Sequence, residues 1–312
     1  MKKTNNVCVV DSVYTLFIYL ILMPNEIKST LFILSDGIPE SVKNKLPCKI
    51  NFPAFKDRKF ERIYRLVYCF YFSLFHKKVL KSIQGKNVYG QDHLFYSHLF
   101  VTDGFVLLED GLGNYQSNKK SSLSAKVRKF LAGNEEWGYS DKVKKIYLTG
   151  LSNVPMELQK KVEFVDLRNL WLACAEDKKS YIKNIYSFGD YSSNEECDVL
   201  LLTQPFSEDT VISENEKINL YKKILGNYSG KVAIKPHPRE KTDYSKHFDC
   251  YVFEKTFPVQ LLLYVLSPKK IATCFSSISS EHFKIPVETY GTSINEKLKK
   301  RYGDIEGNAH VS

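Results

Sequence analysis

The sequence predicts an α/β protein of two doubly wound domains that face each other across a central cleft. The chain has 312 residues, which is more than one hydrophobic core usually organises. Short apolar runs alternate with helical segments in both halves, as in βαβ units. Ser187 to Asn194 has the composition of a linker. We therefore place the domains at residues 1–175 and 195–312.

The first half opens with a strand, a helix and a second strand. The strand Asn6–Val10 leads into Asp11 and Ser12, whose oxygens can cap an apolar helix from Val13 to about Met23. A second strand is predicted at Thr30–Leu34. The later elements of this half are a helix over residues 60–75 and strands over residues 86–90, 105–108, 145–148 and 162–165.

The second half repeats the alternation after the weak pattern between about Leu170 and Asn194. Its predicted strands are residues 198–202, 231–234, 251–253 and 270–275. Its predicted helices are residues 214–226, residues 258–266 and a segment after the serine-rich run 276–280.

Composition and charge narrow the classes of function. Hydrophobic residues make up 43% of the chain and charged residues 26%, as in soluble globular proteins. The net charge of +10 predicts an anionic partner: nucleic acid, a nucleotide-linked substrate, an acidic polysaccharide or an anionic membrane face. No RNA-recognition or zinc-finger pattern is present, so nucleic acid ranks low. The seven scattered cysteines predict reduced core thiols in a cytosolic protein.

Several catalytic and membrane signatures are missing from the sequence. There is no glycine-rich dinucleotide fingerprint, P-loop, HExxH or GxSxG motif. A DxD motif, which would favour metal-dependent glycosyl transfer, is also missing. The apolar run from Val13 to Met23 is too short to span a bilayer. We therefore expect no membrane span.

The segment Val232–Pro238 carries the most informative motif. A buried strand runs into Lys235, and His237 then stands between two prolines that fix the turn. Ligands of open α/β sheets bind at the carboxyl ends of strands. A histidine there can donate a hydrogen bond or a proton to an anionic leaving group. The alternative is a loop histidine that only caps the strand.

Acidic residues follow another strand. Glu109, Asp110 and Gly111 come directly after the strand over residues 105–108, so one carboxylate can reach into the cleft as a general base while the other serves the loop. The alternative is an Asp-Gly turn. His93 and His98 flank an aromatic patch, and we interpret them as surface or packing residues.

Two more strand ends carry polar residues. Ser276 and Ser277 lie at a strand-to-helix junction, where hydroxyl and N–H groups can bind a phosphate or simply cap the helix. Thr203 and Gln204 end the first strand of the second half, with Asp209 close behind, and can line the cleft or form a polar turn.

Taken in order, Leu108-Glu109-Asp110-Gly111, Leu202-Thr203-Gln204-Pro205, Lys235-Pro236-His237-Pro238 and Ser276-Ser277 resemble the bacterial sialyltransferases of glycosyltransferase family 52. The resemblance implies a GT-B-type fold with an acceptor-side first domain and a nucleotide-binding second domain. It also implies an inverting transfer of sialic acid from CMP-sialic acid to a terminal galactose or similar sugar of a bacterial surface glycan, such as capsule or lipooligosaccharide. No metal or cofactor is expected.

The same resemblance assigns roles to residues. Asp110 would be the general base, with Asp209 as the alternative, and His237 would protonate or hydrogen-bond the departing CMP. Ser276 and Ser277 would bind its phosphate. The remaining donor-side candidates are Lys235, Pro238 and, for the ribose, Gln260 or Glu254; other cleft residues are Glu109, Gly111, Thr203 and Gln204.

Two other functions stay open from the sequence: a GT-B-like transferase that uses another nucleotide sugar, and a non-catalytic binding module of a capsule-assembly complex. The expected partners are a nucleotide-sugar donor and a glycan acceptor, without nucleic acid. We expect the protein in the bacterial cytoplasm. A peripheral contact with the inner face of the membrane and a homodimer are left open.

Overall fold

The computed structural model describes residues 4–53, 60–116, 135–188, 197–266, 268–275 and 284–310. The chain forms two compact units, Met1–Gly189 and Asp190–Ser312. Each is an α/β unit whose strands are paired in parallel, which confirms the predicted fold class. Parallel strands are covered on both faces, and this explains why so many of them are continuous apolar runs.

Unit 1 contains a seven-stranded sheet in the order β3-β2-β1-β4-β5-β6-β7. The interior strand β1 is buried along its whole length. Strands β2 and β3 are added on one side of β1 and strands β4 to β7 on the other, so the strand order reverses between β1 and β4. The strands are β1 (Asn6–Val10), β2 (Thr30–Leu34), β3 (Lys49–Asn51), β4 (Asn87–Gly90), β5 (Phe105–Leu108), β6 (Val143–Leu148) and β7 (Val162–Phe164).

The first helix of unit 1 is enclosed by the fold. Ser12 caps it, with its hydroxyl accepting from the Thr15 N–H at 3.1 Å, and most of its side chains are buried. Within residues 4–53, 60–116 and 135–188 the helices are α1 (Val13–Leu22), α2 (Glu40–Lys43), α3 (Glu61–Phe75), α4 (Lys77–Ile83), α5 (Leu167–Ala173) and α6 (Glu176–Ile185).

Unit 2 repeats the plan with five strands in the order β10-β9-β8-β11-β12. The strand order of this sheet reverses between β8 and β11. The strands are β8 (Val199–Leu202), β9 (Val232–Lys235), β10 (Tyr251–Val252), β11 (Lys270–Thr273) and β12 (Val287–Thr289). The helices are α7 (Glu214–Leu225), α8 (Val259–Leu266) and α9 (Glu296–Tyr302).

The predicted strands are confirmed, several with shorter ends. The sequence missed the edge strands β3 and β12, whose three residues each lack an apolar run. It also missed α5 and α6, which lie where the pattern weakens before the predicted linker, so unit 1 extends to Gly189 instead of ending at residue 175. The helix predicted after the serine-rich run begins among residues outside the described ranges.

Gly90, the last residue of β4, lets two central strands of unit 1 approach closely. Its φ is +138°, and a Cβ atom there would lie 2.0 Å from the carbonyl oxygen of Val9 in β1. Only glycine is tolerated at such a φ with backbone so near. The two strands that meet at the reversal of the sheet therefore depend on this residue.

We expect Gly90→Ala to destabilise unit 1 by about 3 kcal/mol or more, because backbone rather than a flexible side chain must move. Gly85→Ala is the matched control, since its φ is also positive, at +78°, but an added Cβ meets nothing within 4 Å. Its cost should stay near 1 kcal/mol. Urea unfolding followed by circular dichroism measures both, and equal losses would contradict the assignment of the cost to the Val9 contact.

Candidate functional site

Asp110 lies at the carboxyl end of β5, beside the reversal point of the unit 1 sheet. Its Oδ1 atom accepts from the Ser12 hydroxyl at 2.7 Å and from the Thr15 hydroxyl at 3.0 Å. Its Oδ2 atom is 3.3 Å from Nε2 of His93, and the side chain is 20% exposed. The carboxylate of Asp110, which follows β5, is thus held by residues that follow β1 and β4, and it still reaches the surface.

These contacts set the charge of Asp110. Burial by itself would raise the pKa of the carboxyl group. The hydrogen bonds from His93, Ser12 and Thr15 and the charge of His93 outweigh burial and lower the pKa below its ordinary value. Asp110 is therefore ionised at neutral pH and is a weaker base than a free carboxylate.

His93 contacts the candidate carboxylate Asp110, a contact that the sequence interpretation did not predict. As expected for a packing residue, its ring stacks on Trp137, with centroids 3.8 Å apart and planes inclined by 8°, but it also faces Asp110. The buried Asp92 carboxylate accepts from the N–H groups of Trp137 and Gly138. His93 stands three residues after Gly90, the end of β4, and that position is the signal that could have identified it.

His98 differs from His93. It is half-buried in a short 3₁₀ segment, Ser97–Leu99, and burial lowers the pKa of its imidazole. The packing interpretation describes this histidine well.

Glu109 does not line a cleft. The side chain is fully buried, and its carboxylate accepts from the hydroxyls of Tyr14, Tyr115 and Thr149 and from the Thr149 N–H. Successive side chains along a strand point to opposite faces, so Glu109 turns into unit 1 when Asp110 turns out. This agrees with the expectation that one of the two carboxylates serves the loop, and it disagrees with the inclusion of Glu109 among the other cleft residues. Glu109 joins the ends of β5 and β6.

Gly111 supplies the turn after the two acidic residues. Its φ of +98° is one that glycine adopts freely, and a Cβ there would meet nothing within 4 Å. The Asn114 side chain accepts from the Asp110 N–H at 2.7 Å and closes the loop.

In unit 2, His237 follows β9 at the carboxyl edge of the sheet. Its Nδ1 atom accepts from the backbone N–H of Arg239 at 3.2 Å, so the neutral ring carries its proton on Nε2. Burial, with the charges of Arg239 and Lys235, lowers the pKa of His237 to about 4. The imidazole is neutral at pH 7 and acts as a hydrogen-bond donor through Nε2.

Glu240 holds the His237 loop, and the sequence interpretation did not single it out. Its buried carboxylate accepts from the His237 N–H at 2.7 Å, from the Tyr244 hydroxyl at 2.5 Å and from the Thr203 hydroxyl. Lys217, itself buried, brings its ammonium to 3.6 Å. Thr203 is buried and supports the loop, which agrees with the polar-turn alternative and not with its place among the other cleft residues.

Lys235 is also placed differently from the expectation. The residue is 4% exposed, and its ammonium donates to the carbonyls of Pro236 at 2.6 Å and Lys255 at 3.1 Å. Burial lowers the pKa of Lys235 to about 7, although the charges of Glu240 and Glu254 oppose it. The last residue of β9 points inward, so its ammonium stabilises the loop instead of meeting a ligand.

Arg239 provides the accessible positive charge of this edge. Its guanidinium forms a bidentate ion pair with the Asp209 carboxylate, with N–O distances of 2.6 and 3.1 Å, and the Arg239 side chain is 61% exposed. The Asp209 side chain is 28% exposed. Asp209 and His237 therefore flank the same arginine, and the charge of Asp209 acts to raise the pKa of His237.

The other predicted residues of unit 2 fall in several places. Gln204 donates from Nε2 to the carbonyl of Phe275 at 3.2 Å and thereby joins the ends of β8 and β11 at the reversal point. Ser276 and Ser277 come next in the chain but lie outside the described residues. Pro238 and Glu254 are exposed, and Gln260 is half-buried in the first turn of α8.

Among the described residues, no group of three or more His, Cys, Asp or Glu side chains could hold a metal ion. None of the helices within those same ranges is both long enough and apolar enough to cross a membrane.

Comparisons with known proteins place the chain in a family. The model of glycosyltransferase family 52 matches residues 23–298. An uncharacterized protein of Haemophilus influenzae is 38% identical over 244 residues, which cover 75% of this chain and 77% of that protein.

Solved structures with a similar course of the chain include two enzymes. A sialyltransferase from Photobacterium damsela has 12% identity and a TM-score of 0.42, covering 87% of this chain and 71% of that one. The UDP-GlcNAc 2-epimerase of Methanocaldococcus jannaschii has 12% identity and a TM-score of 0.47, covering 98% and 93%. On the match to the family model and the Haemophilus relative, this chain belongs to glycosyltransferase family 52 and is a glycosyltransferase.

Proposed function

We propose that this glycosyltransferase moves sialic acid from CMP-sialic acid to a hydroxyl of a terminal galactose, or a similar sugar, on a bacterial surface glycan. The observation that carries the proposal is the neutral imidazole of His237, whose Nδ1 atom accepts from the Arg239 N–H, next to the exposed guanidinium of Arg239 at the carboxyl edge of the unit 2 sheet. Together with the family assignment, this donor pair suits a nucleotide phosphate that leaves as an anion.

The proposed reaction is a single displacement. The acceptor oxygen forms a bond to the anomeric carbon of sialic acid while the bond from that carbon to the CMP phosphate oxygen breaks, with inversion. The electron pair leaves with CMP, and the acceptor proton passes to a carboxylate. His237 and Arg239 stabilise the negative charge that develops on the phosphate. No step in this scheme requires a metal.

Two carboxylates can take the acceptor proton, and each already accepts hydrogen bonds. Asp110 accepts from Ser12, Thr15 and His93, and Asp209 accepts from Arg239 through both of its oxygens. Asp209 shares its edge with His237 and is 28% exposed against 20% for Asp110. We assign Asp209 as the base and Asp110 to holding His93 against Trp137.

The remaining donor contacts follow from position in the chain. Ser276 and Ser277, which come directly after Phe275 and the end of β11, are assigned to the CMP phosphate. Gln260, in the first turn of α8, is assigned to the ribose, with Glu254 as the alternative. The acceptor would reside on capsule or lipooligosaccharide, and the enzyme would work in the bacterial cytoplasm.

Nucleotide specificity distinguishes a sialyltransferase from a transferase that uses another nucleotide sugar and from a non-catalytic binding module. We expect CMP to raise the melting temperature by several degrees at saturating concentration, since a hundredfold excess over Kd adds about 2.7 kcal/mol. UDP at the same concentration should give a clearly smaller shift. A larger shift with UDP would indicate another nucleotide sugar, and no response to any nucleotide would indicate a non-catalytic binding module.

The base is identified by comparing Asp209→Asn with Asp110→Asn. Acceptor-stimulated release of CMP from CMP-sialic acid should fall about 10²- to 10⁴-fold in Asp209→Asn, the usual loss when a general base is removed. Asp110→Asn should retain activity within about tenfold, because it loses only a positioning contact. If Asp110→Asn loses more than Asp209→Asn, the two roles must be exchanged. Melting temperatures check that both variants fold.

His237 should act as a neutral donor, and Gln is the variant that keeps an N–H group near the Nε2 position. We expect His237→Ala to lose about 10²- to 10⁴-fold in kcat/KM, and His237→Gln to keep at least about tenfold more activity than the alanine variant.

The pH profile tests the same role. Because the pKa of His237 is about 4, the free enzyme carries the imidazolium only as the pH falls through that value. The kcat/KM of the wild type should therefore show no fall between pH 6 and 8 that depends on His237. An alkaline loss in that range that disappears in His237→Gln would show instead that the imidazolium is the proton donor.

A further inference from the structure

The helix α3 exposes an apolar stripe that the transfer reaction does not explain. The stripe consists of Ile63, Leu66, Val67, Phe70 and Leu74, which recur at helical spacing and are 44–66% exposed. The opposite side of the same helix packs on the core of unit 1 through Cys69 and Phe72. A helix that is apolar on both sides is normally covered on both. The stripe therefore indicates a docking surface.

Positive charge is concentrated around this stripe. Residues 60–86 contain six basic side chains and a single acidic one, Glu61, a net charge of +5 out of +10 for the whole chain. Glu61 is paired with Arg65. Lys77, Lys78 and Lys81 of the following helix α4 are exposed. A partner that docks on α3 must therefore have an apolar region for the stripe and negative charge for the lysines.

We propose that α3 and the start of α4 dock on an anionic lipid bilayer, with the stripe entering the headgroup boundary and the lysines meeting lipid phosphates. Apolar and aromatic side chains beside exposed lysines are typical of helices that lie in the membrane interface. Tyr71, 46% exposed next to the stripe, is the kind of residue that favours this depth.

The length of the helix and the sign of the charge argue against other arrangements. The 15 residues of α3 extend about 22 Å, less than the roughly 30 Å of a bilayer core, so the helix lies on the membrane and does not span it. A two-fold contact between copies through this helix would bring the exposed lysines Lys77, Lys78 and Lys81 of both copies to the same interface, which is costly. An anionic lipid surface compensates that charge.

Flotation of the full-length protein with vesicles tests the proposal. We expect binding to phosphatidylcholine vesicles that contain one-quarter phosphatidylglycerol, weakening as salt is raised, and little binding to pure phosphatidylcholine. Phe70→Ser with Leu74→Ser should lower the partition coefficient about tenfold or more. Lys77→Glu with Lys78→Glu and Lys81→Glu should lower it about 100-fold.

Matched controls make the same types of substitution at exposed residues away from α3 and α4. Phe164→Ser with Leu172→Ser changes exposed apolar residues of unit 1, and Lys222→Glu with Lys223→Glu changes exposed lysines of α7. Both should bind as the wild type does, and circular dichroism shows whether each variant folds. No binding to the anionic vesicles, or equal losses in the controls, would overturn the proposal. So would a dimer, detected by light scattering, that Phe70→Ser with Leu74→Ser dissociates while lipid binding is unchanged.

Discussion

A fully buried carboxylate anchors the functional edge of each unit. Glu109 accepts from three side-chain hydroxyls and one N–H in unit 1, and Glu240 accepts from two hydroxyls and the His237 N–H in unit 2. Burying a carboxylate costs several kcal/mol unless its oxygens are hydrogen-bonded. Each network is therefore rigid, since losing one donor leaves charge uncompensated.

Each buried carboxylate also fixes the position of a neighbouring candidate residue. Asp110 directly follows Glu109, and His237 is bonded through its own backbone to Glu240. The buried acid fixes where the loop leaves the sheet, and the neighbouring residue is positioned by that loop in addition to its own hydrogen bonds. In unit 2, Glu240 holds the His237 loop through Tyr244 and Thr203, so the Nδ1 atom of His237 makes only a local contact with the Arg239 N–H. This arrangement suits an enzyme that must hold a donor group in place before charge develops.

The distribution of basic residues bears on both proposals, the nucleotide-sugar donor and the anionic membrane. At the edge of unit 2 Arg239 is exposed, whereas Lys235 and Lys217 are buried. Half of the net positive charge lies elsewhere, in residues 60–86, which include α3 and α4. Net charge predicted an anionic partner, but it could not say which of the basic side chains are exposed.

The sequence predicted the α/β class, most strands and the polar residues at their carboxyl ends, because apolar periodicity and Pro-His-Pro turns are local patterns. His237, Asp110 and Asp209 became candidates in this way, and their roles stay predictions. The direction of each side chain at a strand end depends on tertiary packing, as Glu109, Thr203 and Lys235 show. His93 contacts Asp110 because residues distant in sequence, Ser12 and Asp110 among them, meet where the sheet reverses. Such contacts depend on strand order, and no local pattern carries that information.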